Sequence, residues 1–190
     1  VLVPAPLAPT PVPTIVDGLI PNIIGPAGTL ILQNLDSNGT LEITQSSNGL
    51  HDVRVTGSGL NTNDVLNLEL TNSSAGPNFY GTIKADNVER INIIMKDTGT
   101  GANTAATQDG LAFLDIAQAT TLTVSGNNGL FLGGLHNAFN LTVFDASGVV
   151  GNAGDSRQDL GVFFQSLNNT VSMWSMGLPL VRARVVTSSI

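Results

Sequence analysis

Short runs of alternating apolar and polar residues dominate the middle of the chain. Residues 52–56 (DVRVT) and 65–71 (VLNLELT) alternate along their whole length, and residues 29–33 and 40–44 are similar short apolar runs. Gly, Asn, Asp or Ser bounds each run, which is typical of short strands joined by tight turns. The pattern therefore predicts an all-β fold. Residues 108–119 form the best helical candidate in the chain.

A seven-residue pattern recurs in the middle of the chain. Residues 87–93 (NVERINI), 118–124 (QATTLTV) and 137–143 (NAFNLTV) each begin with an amide residue and end with an apolar–polar–apolar triplet. A unit of about 20 residues is typical of one coil of a solenoid or one strand pair of a meander. We therefore expect short stacked strands, in a β-solenoid-like arrangement or a two-sheet β-sandwich. The unequal spacing requires insertions on one side of the stack.

Three segments are predicted from the composition. Residues 1–27 begin with five prolines in thirteen positions and are expected to form an extended linker, since proline fixes φ and lacks an amide donor. Residues 28–172 form the β-rich module, and residues 173–190 form a cap or docking segment. The first thirteen residues lack the positive charge of a signal peptide. A mature chain, an excised segment and a chain exported by a C-terminal signal all remain open.

The charge of the chain limits the kinds of partner that it can bind. Charged residues make up 11%, and 14 acidic residues outnumber seven basic ones, which gives a net charge of −7. A basic stripe for phosphate contacts is lacking, so we expect no nucleic-acid partner, whereas a cation suits an acidic, amide-rich surface. No apolar run reaches the length of about 18 residues that a membrane span needs. The absence of cysteine excludes disulfides and thiolate metal sites.

Several segments together resemble a known group of proteins. Residues 57–68, 81–93, 119–129 and 141–151 follow one another in an order similar to modules of bacterial surface-layer proteins, including those of the Caulobacter type, and of large adhesins of the repeats-in-toxin group. The resemblance covers roughly residues 50–172. It implies secretion to the bacterial cell surface, calcium-dependent folding, and lateral assembly or adhesion. The glycine- and aspartate-rich nonapeptides of that group have no clean copy here.

Calcium is the cofactor that the acidic turns and the resemblance both favour. Calcium takes six to eight oxygen ligands from carboxylates, amides and backbone carbonyls, which turns rich in Asp, Asn and Gly supply. Each candidate residue also has a plainer interpretation as part of a turn or a solvated acidic loop. The candidate ligands, beginning with the densest acidic group, are Asp145, Asp155, Asp159, Asp64, Asn63, Asp97 and Asp115. Asp97 and Asp115, together with Asp109, flank the long insertion between the first two repeat units.

Catalysis has little support in the sequence. The two histidines, His51 and His136, are far apart, and no G-x-S-x-G elbow presents a serine nucleophile. A carboxylate pair for glycoside cleavage is left open by the sequence, but one Trp and one Tyr offer few aromatic platforms for sugars. We therefore expect that the chain is not an enzyme.

Three functions remain after these exclusions. The first is a structural module of a secreted bacterial surface protein that is stabilised by calcium and assembles with copies of itself. Lys84 and Lys96 are the only lysines, so the strand edges have few charges to prevent pairing. The second is an adhesin or receptor-binding module for a glycan or protein, with cell-surface polysaccharide as a candidate partner. The third is an accessory domain of a secreted hydrolase.

Overall fold

A computed structural model describes residues 16–17, 28–57, 59, 63–74, 76–98, 108–150, 162–166 and 184–187. All regular secondary structure within these ranges consists of short strands. The strands are β1 (Val16–Asp17), β2 (Thr29–Leu35), β3 (Gly39–Ile43), β4 (Ser47–Val55), β5 (Val65–Asn72), β6 (Tyr80–Ala85), β7 (Arg90–Asp97), β8 (Asp109–Leu111), β9 (Phe113–Asp115), β10 (Thr121–Gly126), β11 (Leu130–His136), β12 (Val143–Val149), β13 (Val162–Ser166) and β14 (Arg184–Thr187).

The strands form two parallel sheets. Sheet 1 has the order β1-β3-β5-β7-β10-β12, and sheet 2 has the order β14-β13-β11-β9-β6-β4-β2, with β8 also paired to β11. Between β2 and β7 the chain alternates between the sheets, so each coil contributes one strand to each of them. The predicted all-β fold of short stacked strands is confirmed. The chain adopts the solenoid-like arrangement, because every paired strand described is parallel to its neighbour.

The core lies between the two sheets and is built from rows of apolar side chains. In sheet 1, Ile91 pairs with Leu66 on one side and with Leu122 on the other, and Leu122 pairs in turn with Phe144. All four side chains are buried. Successive residues of a strand point to opposite faces, so the intervening polar residues lie on the outer surface. The alternation in the sequence therefore specifies which face of each strand enters the core.

Asparagines shape the corners between strands. Asn38, Asn87 and Asn137 have φ values of 68°, 58° and 53°, in the left-handed region that asparagine tolerates better than most residues. At the end of β10, Gly126 has a φ of 116°, and a Cβ atom there would lie 1.9 Å from the carbonyl oxygen of Met95. The sequence places these residues where the chain must turn or approach its neighbour closely.

The repeat predicted from the sequence is correct for two units and wrong for the third. Thr121 pairs with Arg90, which places the unit at 118–124 directly against the unit at 87–93. The third unit was aligned through Val143 and Val124, but Val143 pairs with Thr121. Residues 140–146 (NLTVFDA) are therefore the true third copy. The pairing of β12 with β10 thus lies three residues further along the chain than the alignment of the sequence units placed it.

The helical candidate at residues 108–119 is wrong. These residues form β8 and β9 and the corner that follows them. Leu111 and Leu114 are buried, while Ala112 and Phe113 between them are both exposed. Two consecutive exposed residues between short strands break the two-residue alternation, and the resulting spacing of three imitates a helix.

Two strands extend the sheets into the flanking segments. Strand β1 pairs with β3, and β14 pairs with β13, so residues from the predicted linker and from the predicted C-terminal segment each contribute a strand. The proline-rich residues 1–13 lie outside the described residues. In the part of the chain that the structure describes, we find no helix of sufficient length and hydrophobicity to cross a membrane.

Candidate functional site

The densest acidic group, which is the first candidate for calcium, lies only partly within the described residues. Asp145 lies on the outer face of β12, where its Oδ1 accepts a hydrogen bond of 2.8 Å from the backbone N–H of Ser147. Asp155 and Asp159 lie outside the described residues. The proposed grouping of these three carboxylates therefore stays a prediction.

The candidates beside the long insertion lie at the ends of different strands. Asp97 ends β7 and is buried, and its backbone exchanges two hydrogen bonds with the side chain of Asn127, of 2.7 and 2.9 Å. Asp115 ends β9, and its Oδ1 accepts a hydrogen bond of 2.7 Å from Asn137 Nδ2. The fold thus uses both residues to tie neighbouring coils together at their corners.

The described acidic residues are dispersed along the solenoid. Within the described ranges, no three or more Asp, Glu or His side chains come together in a way that would hold a metal ion. The two histidines do not form a pair either. His51 on β4 faces the core, whereas His136 on β11 packs against the ring of Phe113 on β9. Any cation site built from these residues must therefore use few carboxylates, with the other oxygens supplied by amides, backbone or water.

The corner before β5 brings together one predicted ligand and one residue that the sequence did not indicate. Asp64 is 1% exposed, and its Oδ2 has no hydrogen-bond partner. Its backbone N–H donates to Glu89 Oε2 across 2.9 Å, and its carbonyl accepts from the N–H of Arg90 at 3.0 Å. Asn63 beside it is exposed. Glu89 enters the corner through parallel stacking of the coils, which leaves no motif in the sequence.

A second buried carboxylate lies at the opposite end of the strands, at Asp109. Its Oδ1 accepts hydrogen bonds of 2.8 Å from Asn72 Nδ2 and from the backbone N–H of Asn78. Its Oδ2 accepts from Asn128 Nδ2 at 2.9 Å and from the hydroxyl of Tyr80 at 3.4 Å. Asp109 therefore joins residues from three different coils through four donors. We call these five residues the Asp109 hub.

Burial sets the electrostatics of the Asp109 hub. Burial raises the pKa of Asp109 above its ordinary value, while the hydrogen bonds from Asn78, Asn72, Asn128 and Tyr80 oppose that rise. The pKa of Tyr80 is also raised, first by burial and then by the charge of Asp109. A phenol held in its protonated form donates to the carboxylate, so the two groups support each other. The hub stabilises the fold and presents no reactive group to solvent.

A polar ladder runs along the outer face of sheet 1. Thr123 Oγ1 donates to Asn92 Oδ1 at 2.7 Å, Asn92 Nδ2 donates to Asn67 Oδ1 at 2.8 Å, and Asn67 Nδ2 donates to the carbonyl of Asn38 at 2.9 Å. The strand register places these side chains in one row across three neighbouring strands. The ladder links successive coils and stiffens the solenoid along its length.

Sheet 2 carries exposed aromatic rings on its outer face. Phe79, Phe113 and Phe131 are 57%, 40% and 41% exposed. Glycine makes room for two of these rings, because a Cβ atom at Gly110 would lie 2.3 Å from the ring of Phe79 and one at Gly134 would lie 2.6 Å from the ring of Phe113. Gly110 pairs with Phe131 and bridges to Phe79, so these rings share a row. We call Phe79, Phe113 and Phe131 the aromatic face.

Comparison with known proteins does not assign the chain to a family. No protein-family model, no curated protein and no solved structure matches this chain. The functional argument therefore depends on the geometry of the described residues.

Proposed function

We propose that this chain is a structural module of a secreted bacterial surface protein, and that copies of it assemble at the outer cell surface. The observation that carries the proposal is the continuous stack of parallel coils. Side chains on both the corners and the outer face of sheet 1 link one coil to the next. Such a stack is a rod with open strand edges at its ends, which suits a repeating surface layer better than an isolated globule.

Strand β2 offers the edge at which two copies would pair. It has one partner among the described strands, β4. The carbonyl of Gly28 accepts from the N–H of Leu50 on β4, so the backbone groups of Thr29 and Ile31 point to the other side because strand residues alternate. Ile31 is 49% exposed, and no lysine lies on this strand. The low charge of the edge supports pairing between copies.

Calcium is the proposed stabiliser of the module. The chain has no cysteine and a net charge of −7, so a cation would relieve repulsion where a disulfide cannot act. Extracellular calcium modules bind with dissociation constants of about 10⁻⁴–10⁻³ M. At ten times that constant, one site adds about 1.4 kcal/mol to the stability of the folded state.

The test of self-assembly is a charge placed on the β2 edge. We expect Ile31→Lys to reduce assembly of the full chain at high concentration strongly, because an edge lysine opposes pairing between strands. Light scattering with and without calcium measures the effect. The control is Phe139→Lys, which changes a residue that is 67% exposed but lies in a corner outside the strands. A wild-type chain that stays monomeric under all these conditions would overturn the proposal.

The aromatic face supports a second candidate function, an adhesin module that binds a glycan or a protein. Large exposed apolar patches are uncommon on monomers and mark binding surfaces, and aromatic rings are enriched in such surfaces. A monomeric chain that binds a cell-surface polysaccharide would favour this function over assembly. A chain that assembles and binds no polysaccharide would favour the structural module.

A further inference from the structure

The corner before β5 contains a buried carboxylate without a compensating partner. Asp64 is 1% exposed, and its Oδ2 makes no hydrogen bond. By the strand register, the positions opposite Asp64 in the later coils are Glu89, Thr120 and Thr142, and none of these three residues is buried. An ionised carboxylate that is removed from water needs an opposite charge or several donors to be tolerated. The corner therefore lacks the opposite charge or the hydrogen-bond donors that a buried Asp64 carboxylate needs.

A second carboxylate lies in the same corner. Glu89 Oε2 accepts a hydrogen bond of 2.9 Å from the backbone N–H of Asp64, so the Glu89 side chain reaches the backbone of this corner at the junction between the coils of β5 and β7. The ion pairs among the described residues involve Arg54, Lys84 and Lys96, and none of these includes Asp64 or Glu89. A buried carboxylate without a basic partner is destabilised unless a cation lies against it.

We infer that the corner formed by Asp64 and Glu89 binds a divalent cation of the calcium type, with Asp64 Oδ2 as a ligand. Carboxylate oxygens are the preferred ligands of this hard cation, and water completes its coordination shell. The cation joins two successive coils at the corner before β5. This inference gives a location to the calcium ion of the proposed function. It depends on the proposed calcium stabilisation and is independent of the proposed self-assembly. Cation binding is measured on the single chain, so its failure is distinct from a failure of self-assembly.

The test is a calcium titration of the chelator-treated full chain by calorimetry, together with thermal unfolding in chelator and in 10 mM calcium, a concentration about ten times the weak end of extracellular calcium sites. We expect wild type to bind calcium and to unfold at a higher temperature in its presence. Asp64→Asn is expected to weaken binding by at least about tenfold, because calcium affinity depends on the number of charged ligands. Glu89 is half-buried, and Glu89→Gln is expected to weaken calcium binding as well. This second variant provides the test if Asp64→Asn fails to fold.

The matched control is Asp86→Asn in the following coil. It removes the same charge from a carboxylate that is 44% exposed and paired with Lys84, and it should leave calcium binding unchanged. Wild type that binds no calcium would overturn the inference. Binding that Asp64→Asn and Glu89→Gln leave intact would also overturn it, by placing the cation elsewhere.

Discussion

Asp109 and Asp64 are the same residue type at nearly the same burial, yet the fold treats them in opposite ways. Four donors surround Asp109, two on each carboxylate oxygen. Asp64 lacks any donor on Oδ2, and a second carboxylate, that of Glu89, accepts a hydrogen bond from its backbone N–H. Burial alone therefore does not define the role of an acidic residue. The donors around it decide whether it stabilises the fold by itself or needs an external cation.

The largest effect is expected at Asp109. Asp109→Ala removes the common acceptor of four donors, each of which loses a buried hydrogen bond, and this costs about 3–5 kcal/mol of unfolding free energy. Urea denaturation measures this loss. Asp145→Ala is the control, because Asp145 lies on the outer face and should change stability by less than about 0.5 kcal/mol. Similar small losses in both variants would show that the Asp109 hub contributes little.

An effect of opposite sign is expected at Asp64 when calcium is removed. In chelator, Asp64→Asn replaces an uncompensated buried charge with a neutral side chain, and stability should rise by about 1 kcal/mol. The same denaturation experiment measures the gain. A loss of several kcal/mol instead would mean that Asp64 is already compensated within the protein, and the contrast with Asp109 would disappear.

The smallest effect is expected in the polar ladder, whose side chains are partnered but not fully buried. Asn92→Ala removes one hydrogen bond to Asn67 and one from Thr123, and it should cost only about 0.5 kcal/mol, because water can replace the lost partners at this partly exposed position. Thermal unfolding measures the change. Thr40→Ala, at the exposed end of the same row, makes a suitable control. A loss as large as that of Asp109→Ala would show that donors matter equally at the surface and in the core.

The sequence anticipated the strands well. The predicted runs at residues 29–33, 40–44 and 65–71 overlap β2, β3 and β5 closely, because alternation reports directly which side chains enter the core. The repeat at residues 118–124 was also placed in its correct register against its predecessor. The third copy and the helical candidate failed for one reason. A change in corner length or a bend between strands shifts the alternation of apolar and polar residues by one position or more. Short polar corners have no sequence motif from which their length could be predicted.

The candidate site was harder to anticipate. Asp64 was selected as a possible ligand because it follows Asn63 in a turn, but no motif joins it with Glu89, which is 25 positions away. Asp109 was selected only for its place beside the insertion, and its four donors come from separate strands and corners. Partners of this kind become neighbours only through the stacking of coils.

The amino-acid sequence by itself determined that the chain forms short strands, which face of each strand is buried, and that the chain carries a net negative charge. Alternation and composition are local properties, and the strand geometry converts them into a buried face without further information. The tertiary structure alone decided that all the described pairings are parallel, that Asp109 is surrounded by donors and that Asp64 is not. These outcomes depend on the lengths of the corners, because corner lengths set which residues of neighbouring coils lie opposite each other.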